Sequence, residues 1–131
     1  VSLIGGGECC SAADGGQPGG SLSAVSLLGN ISNSGAVTAN GAPGITGGKG
    51  GQIILSGKRV QNTAGLTAKG GDSSIPTTSG VEGGRIALSS SDGSTTNSGT
   101  LDVSGGGSVA PAPEVPGIGG PGVIVIDGVV Q

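Results

Sequence analysis

The chain has 131 residues, of which 32 are glycine and none is aromatic, and its formal net charge is −3. Aromatic rings each bury about 150–250 Å² in an ordinary globular core, so their absence excludes a wide core and allows only a thin one of Val, Ile, Leu and Ala. The five basic residues all lie between Lys49 and Arg85, mixed with Asp72 and Glu82, which excludes a nucleic-acid footprint. No apolar run reaches the roughly 18–20 residues of a membrane span.

The first predicted strand opens the chain, with Val1 and Leu3 on one face. A glycine-rich loop leads to the second, GSLSA at 20–24, and a third short segment around Ile31 precedes Asn33. Apolar residues that alternate with polar ones at a period of two are typical of half-buried strands. The absence of an initiator Met and of a signal peptide predicts a processed product or a piece of one.

These segments recur along the chain in the same order. The first recurs in NSGAVTANG at 33–41, NTAGLTAKG at 62–70 and NSGTLDVSG at 97–105. The second recurs as GQIIL at 51–55, GRIAL at 84–88 and GVIVI at 122–126. The third recurs around Val60 and Thr95.

The recurrence predicts an all-β fold, a parallel β-solenoid (β-helix) of about four coils, as a single domain over 1–131. The coils are expected at 1–36, 37–65, 66–100 and 101–131, with long Gly/Pro-rich loops on one side. All seven prolines lie in those loops, where the missing N–H disrupts no strand ladder. A bundle of polyproline II helices is the alternative, but it requires Gly at every third residue, and these glycines are mostly paired.

Parallel stacking places matching residues about 4.7–4.9 Å apart. It therefore predicts a corner ladder of Asn33, Asn62 and Asn97. The simpler interpretation is that each Asn only bonds its own turn, because Asn tolerates left-handed backbone angles.

The succession of a strand, a glycine-rich loop, a GG-x-I-x-L strand and Asn-x-Gly-x-Val-x-Ala-x-Gly resembles the glycine-rich right-handed parallel β-helices of bacterial surface proteins. That group includes autotransporter passenger domains and large filamentous adhesins. The resemblance covers nearly the whole chain and implies an extracellular or cell-surface location with a structural or adhesive role. It supplies no catalytic residues.

The carboxylates do not form the converging pair that a polysaccharide-cleaving enzyme needs. They are scattered over different positions of the coils: Glu8, Asp14, Asp72, Glu82, Asp92, Asp102, Glu114 and Asp127. No His can act as a base. The segment GGKGGQIIL at 47–55 resembles a calcium-binding nonapeptide, but Gln52 stands where that motif needs Asp. We therefore predict no enzyme activity, no metal site and no cofactor.

The adjacent Cys9 and Cys10 lie in the first predicted loop. Neighbouring cysteines rarely pair with each other, and two thiols without His make a poor metal site. In an oxidising compartment they could form intermolecular disulfides between subunits or fibres. Free or buried thiols and a redox role are the alternatives.

Both ends of the chain are apolar, and the chain stops where another first strand would begin. The predicted end-stacking residues are Val1, Leu3, Ile4, Val123, Ile124, Val125, Ile126, Val129 and Val130. Uncapped strand edges favour pairing with another chain. The sequence thus predicts a structural subunit of an extracellular filament, a homopolymer that self-assembles head to tail and could make lateral fibre contacts.

An adhesin segment or an ice-binding solenoid is the alternative function. Ice binding needs a regular array of Thr or similar side chains. Thr38 and Thr67 occupy one matching outward position, but Asp102 takes that position in the next copy and Ser2 in the first. The interrupted array ranks this function below the filament.

Overall fold

The structure, a computed structural model, describes residues 15–74, 80–108 and 117–131. Those ranges contain nine β-strands and no helix. The strands are β1 (Ser21–Val25), β2 (Ile31–Asn33), β3 (Val37–Thr38), β4 (Gln52–Asn62), β5 (Leu66–Thr67), β6 (Arg85–Asn97), β7 (Leu101–Asp102), β8 (Val123–Ile126) and β9 (Val129–Val130). In β4 and β6 the second and third predicted segments merge into one long strand.

Six strands form a large sheet in the order β1-β4-β6-β8-β9, and β2 follows β1 along the same side of β4. All of its pairings are parallel except the last, in which β9 runs antiparallel to β8. Within β6, only the Arg85–Leu88 part pairs with β8. Three short strands form a separate parallel sheet in the order β3-β5-β7.

Residues at matching motif positions lie opposite one another across the parallel strands. We call each such set a column. Three columns of the large sheet are mainly apolar, and we call them the apolar columns: Leu22–Ile53–Ile86–Ile124, Ala24–Leu55–Leu88–Ile126 and Ile31–Val60–Thr95. Because side chains alternate between the two faces of a strand, this register keeps the side chains of each column on the same face.

The predicted four-coil β-solenoid is wrong. Instead of a repeated solenoid, the described residues form a mixed sheet that ends in the antiparallel pair β8–β9, and a second, separate sheet. The final reversal has a local cause, because Asp127 and Gly128 both have positive φ, 47° and 82°, as a two-residue hairpin turn requires. The terms β-helix and repeat protein therefore do not describe this chain, although its sequence motifs lie in register.

The core is thin and aliphatic, and the two sheets contribute to it together. The large sheet supplies Ile53, Leu55, Val60, Ile86 and Leu88, and the small sheet and its flanks supply Val37, Ala39, Leu66, Ala68 and Val103. Burying one Val, Leu or Ile side chain stabilises a fold by about 1.5–3 kcal/mol. A core this small leaves much of the stability to backbone hydrogen bonds.

The glycine-rich segments between the sheets supply such bonds, and we call these segments the glycine arms. After β3, the N–H of Gly48 donates to Ala42 O at 2.9 Å and the N–H of Gly51 donates to Ala39 O at 2.7 Å. After β7, Gly119 N–H donates to Gly106 O at 2.9 Å, and Gly122 donates in the same way three residues on. A spacing of three residues is the period of a polyproline II helix.

The paired glycines explain why this period is hidden in the sequence. In the pair 50–51, Gly50 N–H donates forward to Glu82 O at 3.1 Å, while Gly51 bonds the other arm of its own segment. In the pair 83–84, Gly83 N–H donates forward to Gly120 O at 3.1 Å, and Gly84 bonds back to Ala68. Each pair therefore serves two neighbouring segments at once. In their described parts, the arms are hydrogen-bonded layers rather than the long loops that the sequence predicted.

Candidate functional site

One end of the large sheet consists of β1 and β2, which we call the first edge. Within the described ranges, both strands pair only with β4. Lys58 N–H donates to Gly29 O at 2.8 Å, and Thr63 N–H donates to Asn33 O at 2.9 Å. Since alternate residues of a strand bond to alternate sides, the backbone groups of Ser32 point away from β4. Among the described residues, these outward backbone groups of the first edge have no strand partner.

Apolar side chains lie exposed beside the first edge. Val25 at the end of β1 is 61% exposed, and Leu27 and Leu28 are 86% and 92% exposed. Single exposed apolar residues are ordinary, but a contiguous group marks an interaction site.

The opposite end of the structure comprises the β8–β9 hairpin, the Ser94–Asn97 part of β6, and β7. We call it the second edge. Within the described ranges, Ser94–Asn97 pairs with β4 on one side and has no strand on the other. The β7 strand likewise pairs only with β5. In the part of the chain that the structure describes, the second edge is therefore open at two places and covered by β9 at a third.

The β9 strand covers the outer side of β8 through a short antiparallel ladder. Val130 lies opposite Val125, and Val129 lies opposite Ile126. Gln131 N–H donates to Ile124 O at 3.0 Å. The side chains of Val129 and Val130 remain 62% and 66% exposed. The hairpin covers the edge but leaves its own apolar residues in contact with solvent.

Asp127 anchors this hairpin to β6. Its Oδ1 accepts hydrogen bonds from Ser90 N–H at 2.7 Å, from Ser90 Oγ at 3.0 Å and from Thr95 Oγ1 at 2.7 Å. Partial burial raises the pKa of the Asp127 carboxyl, but these hydrogen bonds outweigh that effect and hold the pKa below its ordinary value. The ionised form of Asp127 therefore stabilises the turn.

The three asparagines lie in one column and bond to each other. Asn33 Nδ2 donates to Asn62 Oδ1 at 2.7 Å, and Asn62 Nδ2 donates to Asn97 Oδ1 at 2.7 Å. Asn62 Nδ2 also donates to Ala64 O at 2.8 Å, and the residue is fully buried. Both hydrogens of this amide and its oxygen are thus used, so the Asn33–Asn62–Asn97 ladder fixes the register of three strands.

Three ion pairs join residues that are 33 positions apart in the sequence. They are Lys49–Glu82 at 3.0 Å, Arg59–Asp92 at 3.0 Å and Lys69–Asp102 at 2.8 Å. The hydrogen bond from Lys69 is the main reason why the pKa of Asp102 is lowered. Such exposed pairs add little stability individually. Their common spacing was a signal in the sequence that would have identified neighbouring strands.

The structure divides the predicted end-stacking residues. Val1, Leu3, Ile4, Cys9 and Cys10 lie outside the described residues. Val123–Ile126 forms β8, and Ile124 packs against the core. Val129 and Val130 pair with β8 of their own chain instead of presenting a free strand. An Asp-Gly pair between apolar residues is a strong hairpin signal, so the turn at Asp127 could have been found from the sequence.

The described residues include a polar groove and no cluster of metal ligands. They contain no group of three or more His, Cys, Asp or Glu side chains that could hold a metal ion. A shallow groove of about 460 Å³ crosses β2, β4 and β6 and is lined by polar side chains such as Ser32, Gln61 and Thr96, with Arg59 as its charged group. In the described part of the chain, no helix is long and apolar enough to cross a membrane.

The outward Thr positions form no continuous array. Thr67 Oγ1 donates to Thr38 Oγ1 at 3.3 Å, and Asp102 follows in the same column, where Lys69 pairs with it. The array that ice binding needs is interrupted by this ion pair.

No protein-family model, curated protein or solved structure matches the chain.

Proposed function

We propose that the chain is the structural subunit of an extracellular filament, in which copies join head to tail through the first and second edges. Each copy extends the sheets of the next by backbone hydrogen bonds, as in other cases of strand addition. The partner is a second copy of the same chain.

The alignment of aliphatic residues in the columns of the large sheet is the observation that carries this proposal. Leu22, Ile53, Ile86 and Ile124 are all aliphatic and lie in one line from the first edge to the second. A second copy placed beyond β8 continues this line with its own Leu22. A long, open, apolar edge is a template for pairing with another chain, and both edges carry exposed apolar side chains.

The location outside the cell rests on the likeness to surface β-proteins and on the adjacent cysteines. In an oxidising compartment, Cys9 and Cys10 could link neighbouring subunits or fibres. Filaments prepared with and without a reductant should then differ in their resistance to dissociation.

Cryo-electron microscopy of the concentrated protein tests the proposal. Four parallel strands, β1, β4, β6 and β8, follow one another in the large sheet. At about 4.7–4.9 Å per strand, each copy should advance the filament by roughly 19–20 Å, with a meridional repeat near ~4.8 Å. Dispersed monomers at high concentration, with or without reductant, would reject the filament.

A matched pair of variants tests whether the first edge takes part. Ser32→Pro removes an N–H that points away from β4, and proline on an edge strand is compatible with the fold. We expect normal monomers that no longer form filaments. Ser32→Ala keeps the N–H at the same exposed position and should assemble normally. Equal assembly of both variants would show that the first edge is not a junction.

A further inference from the structure

We infer that β1 of one copy pairs in parallel with β8 of the next, after β9 has left the outer side of β8. In the monomer, β9 thus occupies the position beside β8 that β1 of a second copy takes in the filament. This inference rests on the proposed filament and specifies its junction.

The columns fix the register of that junction. Within one chain, Ser23 lies opposite Ile54, Ile54 opposite Ala87, and Ala87 opposite Val125. The next position in this column beyond Val125 is Ser23 of a second copy. Another column within one chain runs from Ser21 through Gln52 and Arg85 to Val123. In the same way, the next position in this column beyond Val123 is Ser21 of the second copy. One register therefore continues all columns, and a shift by one residue would turn Leu22 to the solvent face.

The β9 strand is poorly suited to remain on β8. It has two residues, and its side chains are mostly exposed, so its release uncovers little apolar surface. In contrast, β1 has five residues, and its Leu22 and Ala24 pack against the core. A strand that continues the apolar columns therefore contacts β8 more extensively than β9 does.

The side-chain anchor of Asp127 need not break in this exchange. Its contacts are with Ser90 and Thr95 of β6, and not with β9. Only Val129–Gln131 has to move away from β8. Neither β1 nor β8 contains a charged residue, so no like charges oppose each other at the junction.

Disulfide trapping tests the register. The variant Ser23→Cys/Val125→Cys, with Cys9 and Cys10 replaced by Ser, places a cysteine on each side of the proposed junction. Within one chain these positions are separated by three strand spacings, roughly 14–15 Å, which exceeds the ~7 Å limit between the Cα atoms of a disulfide. Oxidation should therefore produce ladders of covalent multimers on a non-reducing gel.

The matched control, Ser23→Cys/Val123→Cys, moves one cysteine by two residues on the same face and should give at least several-fold fewer multimers. A second in-register pair, Ser21→Cys/Val123→Cys, should also cross-link well. It tests the same register if the Val125 variant does not fold. Equal cross-linking of all three pairs, or none in protein that forms filaments, would overturn the inference and leave the filament standing. Absence of filaments from the unmodified protein would instead reject the proposed function.

Discussion

Asn62 shows how a single buried polar side chain can determine which strands are neighbours. Its amide has no exposed surface and no unused hydrogen-bonding group, because Asn33, Asn97 and Ala64 O take all of them. A shift of one strand would leave a buried amide unpaired, which costs about 1–3 kcal/mol.

Asn62→Ala should lower the free energy of unfolding by about 1–3 kcal/mol, because it leaves Asn33, Asn97 and the Ala64 carbonyl without their partner. Urea denaturation of the monomer measures this loss. Asn30→Ala, at an exposed position, is the control and should change stability by less than about 0.5 kcal/mol. Equal stabilities for the two variants would mean that the ladder adds nothing.

Asp127 should make the stability of the hairpin depend on pH. Its pKa is lower in the folded chain than in the unfolded chain, so its contribution is complete above the ordinary value of about 3.9 and is lost as the pH falls through the lower folded value. Melting temperatures from about pH 6 to about pH 2 should therefore fall less steeply for Asp127→Asn than for the unmodified protein. Parallel curves would contradict this role.

At the scale of elements, the recurring motifs predicted most strands and their pairing, but they did not predict the hydrogen bonding of the arms, and the Asp-Gly signal of the last turn was overlooked. Alternating apolar residues in GQIIL and GRIAL identified β4 and β6, and the recurring motifs identified their register. The arms were missed because each paired Gly bonds a different neighbour, which hides the three-residue period. The hairpin was missed because Val129 and Val130 were assigned to stacking on a second copy, whereas Asp127 and Gly128 turn them back onto β8.

Glycine in the arms should be required wherever two backbones approach closely. A Cβ at Gly48 would overlap the carbonyl of Gln17, whereas a Cβ at Gly35 meets nothing within 4 Å. Gly48→Ala should therefore lower the melting temperature strongly. Gly35→Ala should leave it unchanged or raise it slightly, since alanine reduces the entropy of the unfolded chain. Thermal unfolding by circular dichroism compares the two, and similar losses would argue against close packing of the arms.

Removing Val129–Gln131 should uncover β8 and shorten the lag of filament assembly several-fold, as followed by light scattering. Replacing Val129 and Val130 by Thr keeps the backbone ladder and is the control for lost apolar surface. It should leave the lag nearly unchanged. A longer lag after the truncation would mean that β9 itself forms part of the junction.

At the scale of the whole molecule, folding and assembly should be linked. The core cluster is small, and the sheets end in edges that lack a second partner in the described part of the chain. Binding of a second copy to the folded state stabilises that state by mass action. A filament therefore supplies contacts that the monomer lacks.

The melting temperature should accordingly fall as the protein is diluted across the range in which filaments dissociate. Scanning calorimetry at several concentrations measures this shift. The Ser32→Pro variant, which should remain monomeric, provides the control and should melt at one temperature throughout. A melting temperature of the unmodified protein that does not change on dilution would separate folding from assembly.

The half-length of β8 has a mechanical consequence. Ladder bonds hold the boundary between β4 and β6 along both halves of the strands. The Asn62–Asn97 hydrogen bond and the Arg59–Asp92 ion pair add to them. The boundary between β6 and β8 is held by ladder bonds along Arg85–Leu88 only, together with the Asp127 anchor. A force that pulls the two ends of the sheet apart, across the strands, acts on these boundaries in series. The boundary between β6 and β8 should therefore separate first, while the other strands stay paired.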